Sequence, residues 1–143
     1  MKNSIKKIIL SLALVISSAL SAQELGIRFG ELTSNNVAVD GVFDFDGSRI
    51  HANVSFGEGL GLDALYDFIH ESLEDELYWY AGVGASSYIE DDFYLGISGE
   101  IGLEYVFDSV PIVIGFDYRP TFWIIEETDF NWGGFGLNLR YKF

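Results

Sequence analysis

The chain has 143 residues, of which 49% are hydrophobic and 16% aromatic, with sixteen glycines, two prolines and no cysteine. That length holds one domain, and the lack of cysteine excludes a disulfide framework and a thiolate metal site. A formal net charge of -14 argues against nucleic acid as a partner, because one polyanion repels another.

Lys2, Lys6 and Lys7 precede an apolar run from Ile8 to Ile16, and small residues follow at Ser17, Ser18, Ala19, Ser21 and Ala22. This order is that of a secretory signal peptide, with an apolar core too short to span a membrane. Cleavage is expected after Ala22, with Ser21 and Ala19 as alternatives, giving a signal peptide over 1–22 and a single domain over 23–143. The leader carries three of the eight basic residues and none of the twenty-two acidic ones, so its removal takes the net charge to -17.

Eight alternating segments follow, each near the roughly nine to eleven residues that a tilted strand needs to cross a bilayer. Leu25 to Leu32 comes first, with Leu25, Ile27 and Phe29 opposing Arg28, and Thr33 to Asn36 turns the chain. Val37 to Phe45 sets Val37, Val39, Phe43 and Phe45 against Asp40 and Asp44. Asp46-Gly47-Ser48 turns it again; Asp44 to Ser48 lacks the remaining ligands of a calcium loop. Arg49 to Phe56 sets Ile50, Ala52, Val54 and Phe56 against Arg49, His51, Asn53 and Ser55. After Gly57-Glu58-Gly59, Leu60 to Phe68 alternates apolar residues with Gly61, Asp63 and Asp67. An acidic connection is expected from Glu71 to Glu76.

Leu77 to Ser86 opposes Leu77, Trp79, Ala81, Val83 and Ala85 to Tyr78, Tyr80, Gly82, Gly84 and Ser86. The acidic loop Glu90-Asp91-Asp92 leads to Leu95 to Phe107, where Glu100 and Glu104 lie on the polar parity. Asp108-Ser109 is read as a tight turn into one strand from Pro111 to Phe122, with Asp117 and Arg119 on its polar face. A loop through Glu126, Glu127 and Asp129 precedes the closing strand, Gly133 to Phe143. There Phe135, Leu137, Leu139, Tyr141 and Phe143 oppose Gly134, Gly136, Asn138, Arg140 and Lys142, a period-two pattern of unlike faces.

Alternation alone fits either a secreted lipocalin-like barrel with a greasy core or a membrane barrel with a greasy coat. Volume separates them. An eight-stranded barrel has an interior just wide enough for side chains to fill, and the bulky apolar parity would overfill it. The other parity carries Gly61, Gly82, Gly84, Gly96, Gly102, Gly134 and Gly136, which make room in a narrow lumen but only weaken a solvated strand. The apolar face is therefore expected outside, in lipid. Two aromatic girdles follow, one from Trp79, Tyr105, Phe107, Tyr141 and Phe143, the other from Tyr88, Phe93, Tyr94, Phe122, Trp123 and Trp132. An even strand number places both termini on the periplasmic side and the loops near 33–36, 57–59, 87–93 and 124–131 outside.

Three stretches, Leu77 to Ala85, Ile101 to Phe122 and Gly134 to Phe143, resemble small outer-membrane β-barrel proteins of the OmpA/OmpX-like, porin-like kind. The resemblance implies an all-β, eight-stranded antiparallel transmembrane barrel with short turns behind a cleaved signal peptide, in the outer membrane of a Gram-negative-type cell. It also implies recognition of the C-terminal strand by a barrel-assembly machinery. It brings no catalytic residues and no cofactor.

All four arginines, Arg28, Arg49, Arg119 and Arg140, fall on the inward parity, as do Asp40, Asp63, Asp67, Glu100, Glu104 and Asp117. Buried charge is costly unless paired, so an ion-pair network plugging the lumen is expected. The Asp108-Ser109 turn sets Glu100 opposite Asp117, with Arg119 one diagonal from Glu100 and Arg140 approaching Asp117. His51, Asn53 and Ser55 share the inward face, where an acyl chain cannot reach, and read as polar core rather than a catalytic pair. His70 has no evident partner by spacing. Glu90, Asp91 and Asp92, with Glu126, Glu127 and Asp129, are candidate sites for divalent cations at the outer loops. Trp79, Tyr105, Phe122, Trp132, Tyr141 and Phe143 are the expected interface anchors. The expected function is structural or surface-interacting rather than enzymatic; the alternatives are a narrow pore and, third, a lipid-active enzyme.

Overall fold

The computed structural model describes residues 2–21, 23–30, 37–45, 48–57, 59–125 and 128–143. The basic and apolar N-terminal segment forms helix α1, Lys2–Ser21. Among the described residues no helix is long and apolar enough to cross a membrane, a statement that does not bear on strands. The expected cleavage site at Ala22 and the turn Thr33–Asn36 lie outside the described residues.

The rest is strand: β1 Glu24–Gly30, β2 Val37–Phe45, β3 Ser48–Phe56, β4 Leu60–Glu74, β5 Leu77–Ile89, β6 Phe93–Val106, β7 Ile112–Tyr118, β8 Thr121–Ile125, β9 Asp129–Asn131 and β10 Phe135–Lys142. Neighbours pair antiparallel from β1 through β6, β6 pairs with both β7 and β8, β10 pairs with β7, and β1 pairs with β10. These ten segments are eight staves of a closed barrel. At the seam Phe143 N–H donates to the Gln23 carbonyl at 2.8 Å. The barrel therefore has a terminal end, where the start of β1 meets the end of β10, and an opposite end.

Four local departures from ideal strands matter for the lumen. The segment expected as one strand from Pro111 to Phe122 is split at Arg119-Pro120, because proline has no N–H for the ladder. Its two halves keep one register on β6 (Ile101↔Tyr118, Ser98↔Thr121). Across the closing stave the register does slip by one residue, from Thr121↔Asn131 to Tyr118↔Phe135. Gly134 absorbs the slip at φ 113°, where a side chain would also run into the Arg119 backbone.

The expected acidic connection after Phe68 is instead strand. β4 runs to Glu74 and turns tightly, with Asp75 in the left-handed region at φ 45°. A bulge between Asp67 and Ile69 flips the parity of β4, so Asp67↔Gly82 and His70↔Tyr80 both face inward. Finally, the loop after β6 is longer than a two-residue turn: Val106 pairs with Val113, and the Phe107 N–H donates to the Ile112 carbonyl at 3.1 Å.

The faces sort as volume requires. Ile97, Ile101, Phe116, Leu137 and Leu139 lie exposed on the outer surface, while arginines and carboxylates are buried inside. Inward glycines create the space. A Cβ at Gly102 would collide with the Tyr80 ring and one at Gly136 with the Arg28 guanidinium. Among the described residues, the largest fully enclosed apolar side chains in the lumen are Val42, Leu65, Val113 and the ring of Tyr80.

Candidate functional site

The lumen is one connected network of charged and polar side chains, contributed by every stave. On the closing strand, Arg140 donates to Glu24 (3.0 Å), Asp40 (3.2 Å) and Glu104 (2.5 Å), and to the side-chain amide oxygen of Asn138. Glu104 also accepts from Arg49 at 2.9 Å and contacts His70, whose ring stacks on Tyr78 with centroids 5.2 Å apart. Arg28 grips Asp117 through Nε and Nη2, the shorter bond being 2.5 Å, and its Nη2 reaches the Gly134 carbonyl at 2.9 Å. Asn138 and the Tyr80 hydroxyl donate to the other Asp117 oxygen at 3.1 and 3.3 Å.

Deeper toward the opposite end, Arg119 forks onto Glu100 Oε2 at 2.8 and 3.2 Å and contacts Asn53 and Asp63. His51 joins the two halves, with Nε2 2.6 Å from Asp40 and Nδ1 3.0 Å from Glu100. Asn53 also bonds Asp40. A string of hydroxyls, Ser86 to Ser98 (2.5 Å) to Thr121 (2.6 Å), lies beyond.

These contacts gather the expected lumen residues Arg28, Arg49, Asp63, Glu100, Glu104, Asp117, Arg119 and Arg140, but several pairings differ from the expected ones. The longer β6–β7 loop shifts the register, so Gly102, not Glu100, pairs with Asp117. Glu100 consequently meets Arg119 directly. Arg140 does not approach Asp117, which Arg28 occupies from β1; it pairs with Glu24, Asp40 and Glu104 instead. His70, which spacing left without a partner, reaches Glu104 because the β4 bulge turns it inward. Both ring nitrogens of His51 are committed to carboxylates, in keeping with a polar core. Glu24 was missed because it precedes the first apolar residue of β1, although it shares the parity of Arg28.

The aromatic girdles are partly redrawn. Tyr105 packs on Phe107 and Tyr141 on Phe143 at the terminal end (4.9 and 5.0 Å), and Phe122, Phe130 and Trp132 form a chain at the opposite end. Trp132 is the most exposed of them, and Trp79 is half-buried. Tyr88, Tyr94 and Trp123, however, stand on the inward parity, beside Gly59 and Gly96. Their rings contact in series at 6.3 and 6.4 Å along the inner wall at the opposite end.

Glu90, Asp91, Asp92 and Asp129 are exposed at that end, with Glu90 accepting from the Tyr88 hydroxyl at 3.3 Å. Glu126 and Glu127 lie outside the described residues. In the turn at the terminal end, a hydrogen bond to Asp108 and the proximity of its like charge raise the Glu76 carboxyl above its usual range.

Fold and lumen together define a closed antiparallel β-barrel with an apolar coat and a charged, solid interior. Neither a family model, nor a curated protein, nor a solved structure matches the chain.

Proposed function

We propose that this chain is an integral outer-membrane β-barrel with a side-chain-filled lumen, acting as a structural or surface-interaction protein of the cell envelope. The observation that carries the reading is the inversion of polarity: all four arginines are buried, while Phe116, Leu137 and Ile97 are about half exposed (51%, 52% and 58%). In water such an outer surface would be a large contiguous apolar patch; in a bilayer it is the ordinary coat of a barrel. On this reading α1 is the cleaved export signal, and β10 with its terminal aromatics is what the assembly machinery engages. No residue is assigned a catalytic role, and none a cofactor.

The plug supports a scaffold over a pore. Crossing ion pairs join Arg28, Arg119 and Arg140 to carboxylates on five strands, β1, β2, β4, β6 and β7, and the rings of Tyr88, Tyr94 and Trp123 line one mouth. Purified protein that shows heat-modifiable migration is expected to give no steps in planar-bilayer conductance. Steady small steps that change with Arg119→Ala would replace this reading with a narrow channel.

A further inference from the structure

Seven carboxylates face four guanidinium groups in the lumen. With His51 and His70 both charged, the count is still seven against six. The surplus is localised. Asp67 is buried with its side chain fully enclosed, yet neither of its oxygens has a hydrogen-bond donor. The nearest guanidinium nitrogen, Arg49 Nη1, stands off at 3.7 Å. An ionised carboxylate in that position carries the desolvation cost without the compensating bonds, so the site calls for a further positive charge, which either a proton shared with the neighbouring Glu100 or a metal ion can supply.

Ligand atoms of Asp67, His51 and Glu100 lie within 4.8 Å of one another, all three residues buried. We propose that His51, Asp67 and Glu100 form a binding site for a first-row divalent metal ion of the zinc type. His51 Nδ1 and one oxygen from each carboxylate are the donors, a nitrogen and oxygen set that suits such an ion. Calcium or magnesium would need six or more oxygens, which these residues do not supply.

The surroundings already have the form of an outer shell. The far nitrogen of His51 is held by Asp40 at 2.6 Å, the carboxylate–histidine arrangement that fixes the tautomer of a metal-bound imidazole. Glu100 Oε2 is anchored by Arg119 at 2.8 Å, which leaves Oε1 turned to His51. The two carboxylates balance the charge of the ion, which takes the place of the proton on Nδ1; binding therefore releases that proton to solvent. The inference rests on the barrel interior alone and does not depend on what surrounds the barrel.

The test uses untagged, detergent-purified full-length protein, stripped of metal with a chelator and titrated with Zn²⁺ by calorimetry and with Co²⁺ by absorption. One ion per chain is expected. Asp67→Asn keeps the shape, removes the charge, and is expected to weaken binding by more than the roughly 10–100-fold typical of losing an outer-shell partner. A triple change at Glu90, Asp91 and Asp92 to amides is expected to leave binding unaltered. No binding to folded protein, equal binding by Asp67→Asn, or loss on the loop triple change would each overturn the site and leave a proton shared by Asp67 and Glu100 as the charge balance. Should Asp67→Asn not fold, ¹⁵N-imidazole spectra of the wild type decide: the His51 Nδ1 signal must move on Zn²⁺ addition, and an unmoved signal refutes the site.

Discussion

Among single side chains, Arg140 has the largest share of the network, since Glu24, Asp40 and Glu104 all converge on it. Removing one partner of a buried ion pair leaves uncompensated charge, which costs about 3–5 kcal/mol. Arg140→Ala is expected to lose at least that much in urea unfolding from lipid vesicles, and Arg140→Lys somewhat less, because an ammonium cannot fork across three acceptors. Equal stability of Arg140→Ala and wild type would mean that water replaces the guanidinium freely. That all four arginines point inward was legible from parity. Which carboxylate each one takes was not, because the partners sit across the lumen on strands whose relative stagger no local pattern encodes.

At the scale of elements, strands with unbroken alternation were readable and interrupted ones were not. The alternation of β3 and β10 fixed their faces directly. One extra residue at Phe68 leaves the composition of β4 unchanged yet reverses the faces from Ile69 to Ser72, which hid the pairing of His70 with Glu104. Pro120 split a strand read as continuous, and the aromatics of β5, β6 and β8 were assigned to a girdle although Tyr88, Tyr94 and Trp123 share the parity of the lumen. The closing stave depends on Gly134 in the same way that β4 depends on its bulge. Gly134→Ala, forced to φ 113° against the Arg119 backbone, is expected to cost on the order of 1–3 kcal/mol. Gly99→Ala is the control, because its Cβ would meet nothing closer than 3.8 Å, and it should stay within about 0.5 kcal/mol. Matching losses from the two variants would remove backbone strain as the explanation.

For the whole molecule, the decisive question is what the apolar coat touches. Leu137 lies near the middle of β10 and faces outward. In a bilayer, Leu137→Arg is expected to destabilise the barrel by about 2–4 kcal/mol in vesicle unfolding, the cost of a cation near the midplane. A barrel whose coat met only water would tolerate the change or become more soluble, and that outcome would remove the membrane from the proposed function. The eight-stave architecture was legible because eight alternating segments could be counted along the chain, and the glycines gathered on one parity marked the face that turns into the lumen. The biological task was not, because paired charges inside a barrel serve a scaffold and a narrow pore alike, and their pattern names no substrate.

The seam between β1 and β10 has a temporal meaning as well. Arg140 and Glu24, which bond across it, are separated by 116 positions in the chain. Every other wall is a hairpin or a short connection, so an open, curved sheet can assemble piecemeal while its future interior is still wet. Arg28 and Arg140 sit on the two edges of that sheet, and Asp117 for the first and Glu24 and Asp40 for the second come within reach only as the edges meet. Ring closure and expulsion of water from the interior are thus a single event, and until it happens the edges remain hydrated and apart.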